Sequence, residues 1–344
     1  LTCGGICVFL RAILPALKDP RLMPMLDVAY SLVLPVFGVV VIGYLAARFG
    51  WFSDSATDGL DKFVFTFAIP ALLFRALANT DLPDTLPWGL WGSYYGGILI
   101  VWAIGIAIAM AVLRRSFKDA VIVGFGGGFS NTVMLGIPII LVAFGEQASV
   151  PLFLILAFHG LTVFTICTFL LEMAQASERH DGSERPDPRR ILLDSLKGMA
   201  RNPLIWALGS GVIFGQTGLT LPGPVDGVLE KLGQAGIPCA LFAMGATLSR
   251  YEIRRSIGAA SQIAVIKLGL HPLIVFALGT YVFALPVMWL KVATVMAAVP
   301  SGVYTFIMAN RYQAAPGAAS SAVVLTTGLS LLTLSAVLTW ALSF

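Results

Sequence analysis

The chain has 344 residues, of which 58% are hydrophobic and 12% charged, with a formal net charge of +4 and a mean hydropathy of +0.88. So few polar groups cannot cover a water-soluble globule of this length, which makes the chain an integral membrane protein. Its basic residues sit mostly in short connections and give no support to nucleic-acid binding, and Cys3, Cys7, Cys167 and Cys239 make neither a disulfide framework nor a zinc set. The apolar runs are continuous rather than alternating, so they read as helices and not as strands of a membrane barrel.

In chain order, residues 1–25 carry Arg11, Lys18 and Arg21 around a run too short to span, and are expected to be a non-native or disordered extension ahead of a start at Met23 or Met25. Spanning helices are expected near 28–49, 59–78, 88–113, 118–144 and 149–173. The polar stretch from Gln175 to Lys197 has mixed charge and no periodicity, and 175–200 reads as a linker. Further spans follow near 201–216, 225–249, 256–282, 288–311 and 316–342. The sequence Ala68-Ile69-Pro70-Ala71-Leu72-Leu73-Phe74 returns 168 residues later as Gly236-Ile237-Pro238-Cys239-Ala240-Leu241-Phe242, and Pro35, Gly43, Gly50 and Gly160 meet Pro203, Gly211, Gly218 and Gly328 at the same offset. Residues 26–174 and 201–344 are therefore expected to be two five-helix repeats, and an odd number of spans per repeat makes the second copy inverted. The basic residues crowd into alternate connections, among them Arg114, Arg115, Lys118, Arg189, Arg190, Lys197, Arg201 and Arg250. This distribution predicts both termini outside and the linker inside, in a multi-pass protein expected in the cell inner membrane.

The fourth span holds Gly126-Gly127-Gly128-Phe129-Ser130-Asn131-Thr132-Val133-Met134-Leu135-Gly136-Ile137-Pro138, and the ninth holds Val299-Pro300-Ser301-Gly302-Val303-Tyr304-Thr305-Phe306. Proline removes a backbone donor and crowds the preceding turn, so both helices are expected to break near mid-membrane. Broken backbone at that depth is tolerated where it is covered by protein or lines a cavity, and paired half-helix N-termini suit an anion. Two ordinary proline kinks, with Asn131 bonded to a neighbouring helix, are the other reading of the same residues. Lys267 and His271 lie four residues apart on one face of the eighth span, and a lysine at that depth must meet a counter-charge, carbonyls, water or substrate unless it snorkels. His159 and His271 are each either packing residues or proton relays. The serines and threonines of the tenth span, Ser320, Ser321, Thr326, Thr327 and Ser330, read as interhelical glue.

Ser130-Asn131-Thr132-Val133-Met134-Leu135-Gly136-Ile137-Pro138 and Pro300-Ser301-Gly302-Val303-Tyr304-Thr305-Phe306, with Ala309 and Tyr312, resemble the fourth and ninth spans of the auxin efflux carrier family. That family includes plant auxin carriers and bacterial permeases for malate and malonate, and the resemblance extends over about residues 28–342. It implies an all-α membrane protein of ten spans in two inverted five-helix repeats, an elevator-type transporter related in fold to bile-acid symporters. Spans one, two, six and seven would be the scaffold, and spans four and nine would cross at the substrate site. Carried onto this sequence, the binding residues are Asn131, Thr132, Gly136, Pro138, Pro300, Ser301, Gly302 and Tyr304, with His159 near the crossover and Lys267 and His271 for charge compensation or coupling. Many bacterial members have Asn where this chain has Tyr304, so the substrate of those members does not carry over; an aromatic ring there could narrow the pocket or stack on a ring-bearing substrate.

No zinc-protease motif or phosphate-binding loop occurs, and no catalytic residue, cofactor or metal site is expected. The expected function is secondary transport of a small organic anion, a carboxylate, with that anion and membrane lipid as partners and the pairing of two chains left open. Asp61, Glu172 and Glu230 lie near span ends, which favours proton coupling or uniport over sodium, although backbone carbonyls alone could bind sodium. A membrane ligand sensor of the same fold is the competing class.

Overall fold

The computed structural model describes residues 23–80, 87–178, 187–251 and 256–343. Of the extension expected over 1–25, only 23–25 are described, and they open the first helix; the rest lies outside the described residues, as do residues 179–186 of the linker. Among the described residues the chain is helical, with no strand beyond a single isolated bridge. Helix α1 is Met23–Arg48 and α2 runs over 54–78; α3 is Trp88–Ala111, α4 is Phe117–Gly128 and α5 runs over 132–144. They are followed by α6 (Ser149–Glu178), α7 (Pro188–Ala200), α8 (Pro203–Gln216) and α9 (Gly223–Leu248). The last four are α10 (Ile257–Val282), α11 (Val287–Ala298), α12 (Tyr304–Tyr312) and α13 (Pro316–Leu342). Length and composition suit a bilayer crossing in α1, α3, the continuous run Thr132–Ser177, α10 and α13, while α8 and α11 are shorter apolar helices.

The linker contains a helix that its composition hides. Helix α7 occupies 188–200, where aperiodic linker was expected, because its apolar residues are few enough to be diluted by the charges around them.

Four prolines are absorbed without breaking a helix. Pro35, Pro70, Pro138 and Pro272 each stand two residues after a π-helical turn, at Ala29–Val33, Val64–Ala68, Thr132–Gly136 and Ile266–Leu270. At each turn the residue before proline donates to the carbonyl five residues back: Leu34 to Ala29, Ile69 to Val64, Ile137 to Thr132 and His271 to Ile266. Widening the turn by one residue moves the carbonyl that the proline ring would strike. Pro138 was expected to mark a break; it sits instead in continuous helix, and the interruption lies at 129–131.

Packing falls into two groups. In one, α1 lies against α9, α8 against α2, and α9 against α2; in the other, α3 packs on α4 and α10 packs on α11 and α13. Small residues bring the first group's backbones into contact: a Cβ at Gly43 would fall 2.1 Å from Phe242 O, and one at Gly211 would fall 2.9 Å from Phe74 O. These two contacts are mates at the 168-residue offset, since 43 becomes 211 and 74 becomes 242. Arg250, just after α9, holds Asp54 and Asp58 at the start of α2, at 2.8 and 2.9 Å, while Arg75 near the end of α2 holds Asp226 at the start of α9 at 2.7 and 3.0 Å. Helices α2 and α9 are therefore antiparallel and tied at both ends.

Candidate functional site

Helix α4 ends at Gly128 after three successive glycines, a stretch with little intrinsic helix preference, and Phe129 turns extended at φ −82° and ψ 113°. Helix α11 ends at Ala298; Val299 is extended at φ −63° and ψ 150°, as a residue before proline prefers. The two freed segments cross as a short antiparallel ladder. Ser130 and Ser301 face each other, Asn131 N donates to Pro300 O at 2.9 Å, and Gly302 N donates to Phe129 O at 3.1 Å. The ladder satisfies backbone groups that would otherwise be orphaned in hydrocarbon. It also requires Gly302, where an added Cβ would lie 2.3 Å from a ring carbon of Phe129.

On one side of the crossing stands Lys267, completely buried in the π turn of α10. Its Nζ donates to Ser130 Oγ at 2.8 Å and to Ala297 O at 2.5 Å, and lies 3.0 Å from His271 Nδ1. The Lys267 Nζ thus fastens the first break to the carbonyl end of α11. Ser301 is committed too: its N donates to Thr326 Oγ1 at 3.1 Å and its hydroxyl bonds Thr305 Oγ1 at 3.1 Å.

On the other side opens a cavity of about 590 Å³ between the two packed groups. Phe65 and Leu73 of α2 and Leu208 of α8 wall it on the first group's side, and Gly198, Asn202 and Pro203 line it at the α7–α8 junction. From the crossover come Phe129, Ser130, Asn131, Thr132, Gly302, Val303 and Tyr304, and from α6 come His159 and Phe164. His159 is buried and stacks on Phe129 at 5.0 Å, and neither of its ring nitrogens has a hydrogen-bond partner. Asn131 Nδ2 reaches Met244 Sδ at 3.4 Å, a weak acceptor. Tyr304 meets Phe164 at 5.0 Å, and Phe164 meets Phe129 at 5.3 Å, which makes this wall aromatic.

Of the residues expected at a site, the fold therefore gathers Asn131, Thr132, His159, Gly302 and Tyr304 around one cavity. Pro300 and Ser301 form the crossing behind it, and Lys267 with His271 lie beyond Ser130. Gly136 packs against Met296 Sδ and Pro138 is buried in α5; neither lines the cavity. Sequence reasoning gave no role to Ser130, Phe129 or Phe164. Ser130 stood inside the motif, and its position between cavity and lysine could have been suspected; the aromatic pair carried no readable signal.

The profile of a membrane transport protein family matches residues 28–338. A protein described as "Putative malonate transporter" from Rhizobium meliloti is 29% identical over 308 residues, covering 90% of this chain and 94% of its own length. "Auxin efflux carrier component 8" of Arabidopsis thaliana is 24% identical, covering 86% of this chain and 92% of its own. An uncharacterized transporter of Methanothermobacter thermautotrophicus is 27% identical, covering 88% and 95%. A helical membrane chain with a cavity at the crossing of two interrupted helices, matched over nearly its whole length, belongs to the membrane transport protein family that includes the auxin efflux carriers.

Proposed function

We propose that this chain is a secondary carrier of a small organic carboxylate, bound in the crossover cavity and moved by sliding of the second packed group against the first. The observation that carries the reading is the polar part of the cavity wall: Asn131 and His159 line it, the Asn131 amide with only a thioether for company and the buried ring nitrogens of His159 without a hydrogen-bond partner, an arrangement that is costly unless a ligand or water takes it up. Helix α5 begins at that wall and supplies the partial positive charge of its N-terminus. Among the described residues the cavity lining has no lysine or arginine, and Lys267 reaches the wall through its bond to Ser130. Asn131 and Thr132 would bond the carboxylate, His159 would bond it and carry a coupled proton, and Tyr304 with Phe164 would pack on the substrate's carbon frame.

Ten crossings in two inverted repeats accommodate this reading. The mated glycine contacts, the antiparallel course of α2 and α9 and the two-fold character of the crossover ladder all support it. The cavity reaches the α7–α8 junction, which supports a conformation open toward the linker, and the excess of basic residues there supports placing the linker on the inner side of the membrane. An ammonium fixed on Ala297 O and Ser130 Oγ fills a place that a monovalent cation could take, which favours proton coupling or uniport over sodium. Counterflow of labelled malonate into proteoliposomes tests the reading, with malate, succinate and indole-3-acetate as competitors and sodium replaced by an organic cation in a parallel arm. Saturable exchange that survives sodium removal supports it; no exchange of any carboxylate by folded protein removes it.

A further inference from the structure

Helix α7 has an apolar face that the protein leaves uncovered. Ile191 alone among its described side chains is buried, at 7% exposure, and α7 rests on α6 and α8. Leu192, Leu193 and Leu196 are 46%, 47% and 44% exposed. At about 100° per residue these leucines and Ala200 fall within one arc of about 100°, while Ile191 points to the opposite side. Arg190 and Lys197 border the leucine arc, Arg189 sits on it at the first turn, and Arg201 follows the helix. Their number exceeds the acids in the same stretch, Asp187 and Asp194, and Asp194 is already drawn to Lys197 at 3.7 Å.

Two neighbours fix the level of this helix. Helix α6 has 30 residues, more than the about 20 that a crossing needs, so its end stands clear of the hydrocarbon. Trp206, one turn into α8, is 66% exposed and donates its indole N–H to Ala200 O at 2.8 Å, tying the last residue of α7 to an aromatic side chain of the kind that settles at the headgroup layer. We infer that α7 lies in the plane of the membrane and binds an anionic leaflet, its leucines sunk among the acyl chains and Arg189, Arg190, Lys197 and Arg201 on the headgroups. The chemistry is that of an interfacial amphipathic helix, in which apolar burial and attraction to anionic lipid act together. The inference rests on the placement of α7 and holds whatever the carrier moves.

The test uses the full chain in vesicles of phosphatidylcholine with and without phosphatidylglycerol. An environment-sensitive dye is attached at Leu193→Cys or, on the outward face, at Asp194→Cys, with Cys3, Cys7 and Cys239 replaced by serine. Both sites are exposed, so labelling leaves the packing alone, and an unchanged size-exclusion profile verifies this. The dye at 193 is expected to shift to the blue and be quenched by brominated lipid, more strongly with the anionic lipid, while the dye at 194 stays quenchable by aqueous iodide. Arg190→Gln with Lys197→Gln should lower the anionic preference, by up to about fivefold for each charge removed. An aqueous dye at 193 in both lipids overturns the inference, and so does equal quenching with and without phosphatidylglycerol. Shielding at 193 that follows protein density rather than lipid would make a second copy of the chain the occupant and overturn it as well.

Discussion

The two sides of the crossover are made of similar residues and treated in opposite ways. Behind it, Lys267 has three polar neighbours, and Ser301 has a partner for its N–H and another for its hydroxyl. Before it, the Asn131 amide has a thioether and the His159 ring nitrogens have no side-chain partner, while behind it the one gap is the Nε2 of His271, whose Nδ1 is already on Lys267. Buried polar groups are nearly always paired, and the exceptions ask for a reason. The difference shows a rear side that holds the interrupted backbone together, and it is what the proposed binding of a non-protein partner at the front side rests on.

The sharpest way to break this contrast is from behind. Lys267→Ala removes the partner of Ser130 Oγ and Ala297 O and leaves both buried, at an expected cost of about 1–3 kcal/mol for each group left unpaired. Folded yield in detergent and midpoint of thermal unfolding should both fall, and transport with them. A Lys267→Ala protein of normal stability that has merely lost transport would move the lysine to the front side.

Next comes the crossing itself. Gly302→Ala places a methyl 2.3 Å from a ring carbon of Phe129 and 3.3 Å from Ser130 O, so the Phe129 ring that stacks on His159 must shift. A loss of about 1–3 kcal/mol is expected from this overpacking, together with reduced flux at unchanged expression. Thermal unfolding and flux measured on one preparation check both; flux at the wild-type level would show that the aromatic wall plays no part in binding.

From the front the effect should fall on transport alone. Asn131→Ala gives up only a 3.4 Å contact to Met244 Sδ, so stability should change by less than about 1 kcal/mol while counterflow is lost. His159→Ala, assayed across pH in the same vesicles, should flatten the pH dependence of flux, because no other titratable side chain among the described residues lines the cavity with both nitrogens unpartnered. Retained counterflow in Asn131→Ala, or an unaltered pH profile in His159→Ala, would mean that the free polar groups serve water rather than substrate.

The helices were legible in the sequence because bilayer-length apolar runs are a coarse signal that packing does not override. Breaks were less so. Proline was read as an interruption at both Pro138 and Pro300, yet a π turn relieves the clash at Pro138, and only Pro300, whose neighbour Val299 turned extended, lies at a crossing. Three glycines decided the other break, and their weak helix preference is a smaller signal than a proline ring. Asn131 and Tyr304 could be named from their motifs; the aromatic contacts among Phe129, His159 and Phe164 depend on how α6 meets the crossover, which no spacing within one segment records. Helix α7 was hidden for a similar reason, since only its exposure pattern on the folded chain distinguishes leucines facing lipid from leucines of a core.

The smallest effect is expected far from the crossover, at the ends of α2 and α9. Arg75 grips Asp226 with two nitrogens, but the two side chains are 29% and 30% exposed, and an ion pair so open to water contributes little. Cohesion of the first packed group should come instead from backbone contact along its length, as where a Cβ at Gly245 would fall 1.9 Å from Val40 O. Arg75→Gln should therefore lower the unfolding midpoint slightly, Asp226→Asn by a similar amount, and the double variant by no more than either alone, while Gly245→Ala should lower it far more. Additive losses from the two single variants would mean that Arg75 acts largely through its second acid, Glu230 at 3.8 Å, rather than through Asp226, and a drop for Arg75→Gln as deep as for Gly245→Ala would place the group's cohesion at its ends rather than in its glycine-lined interior.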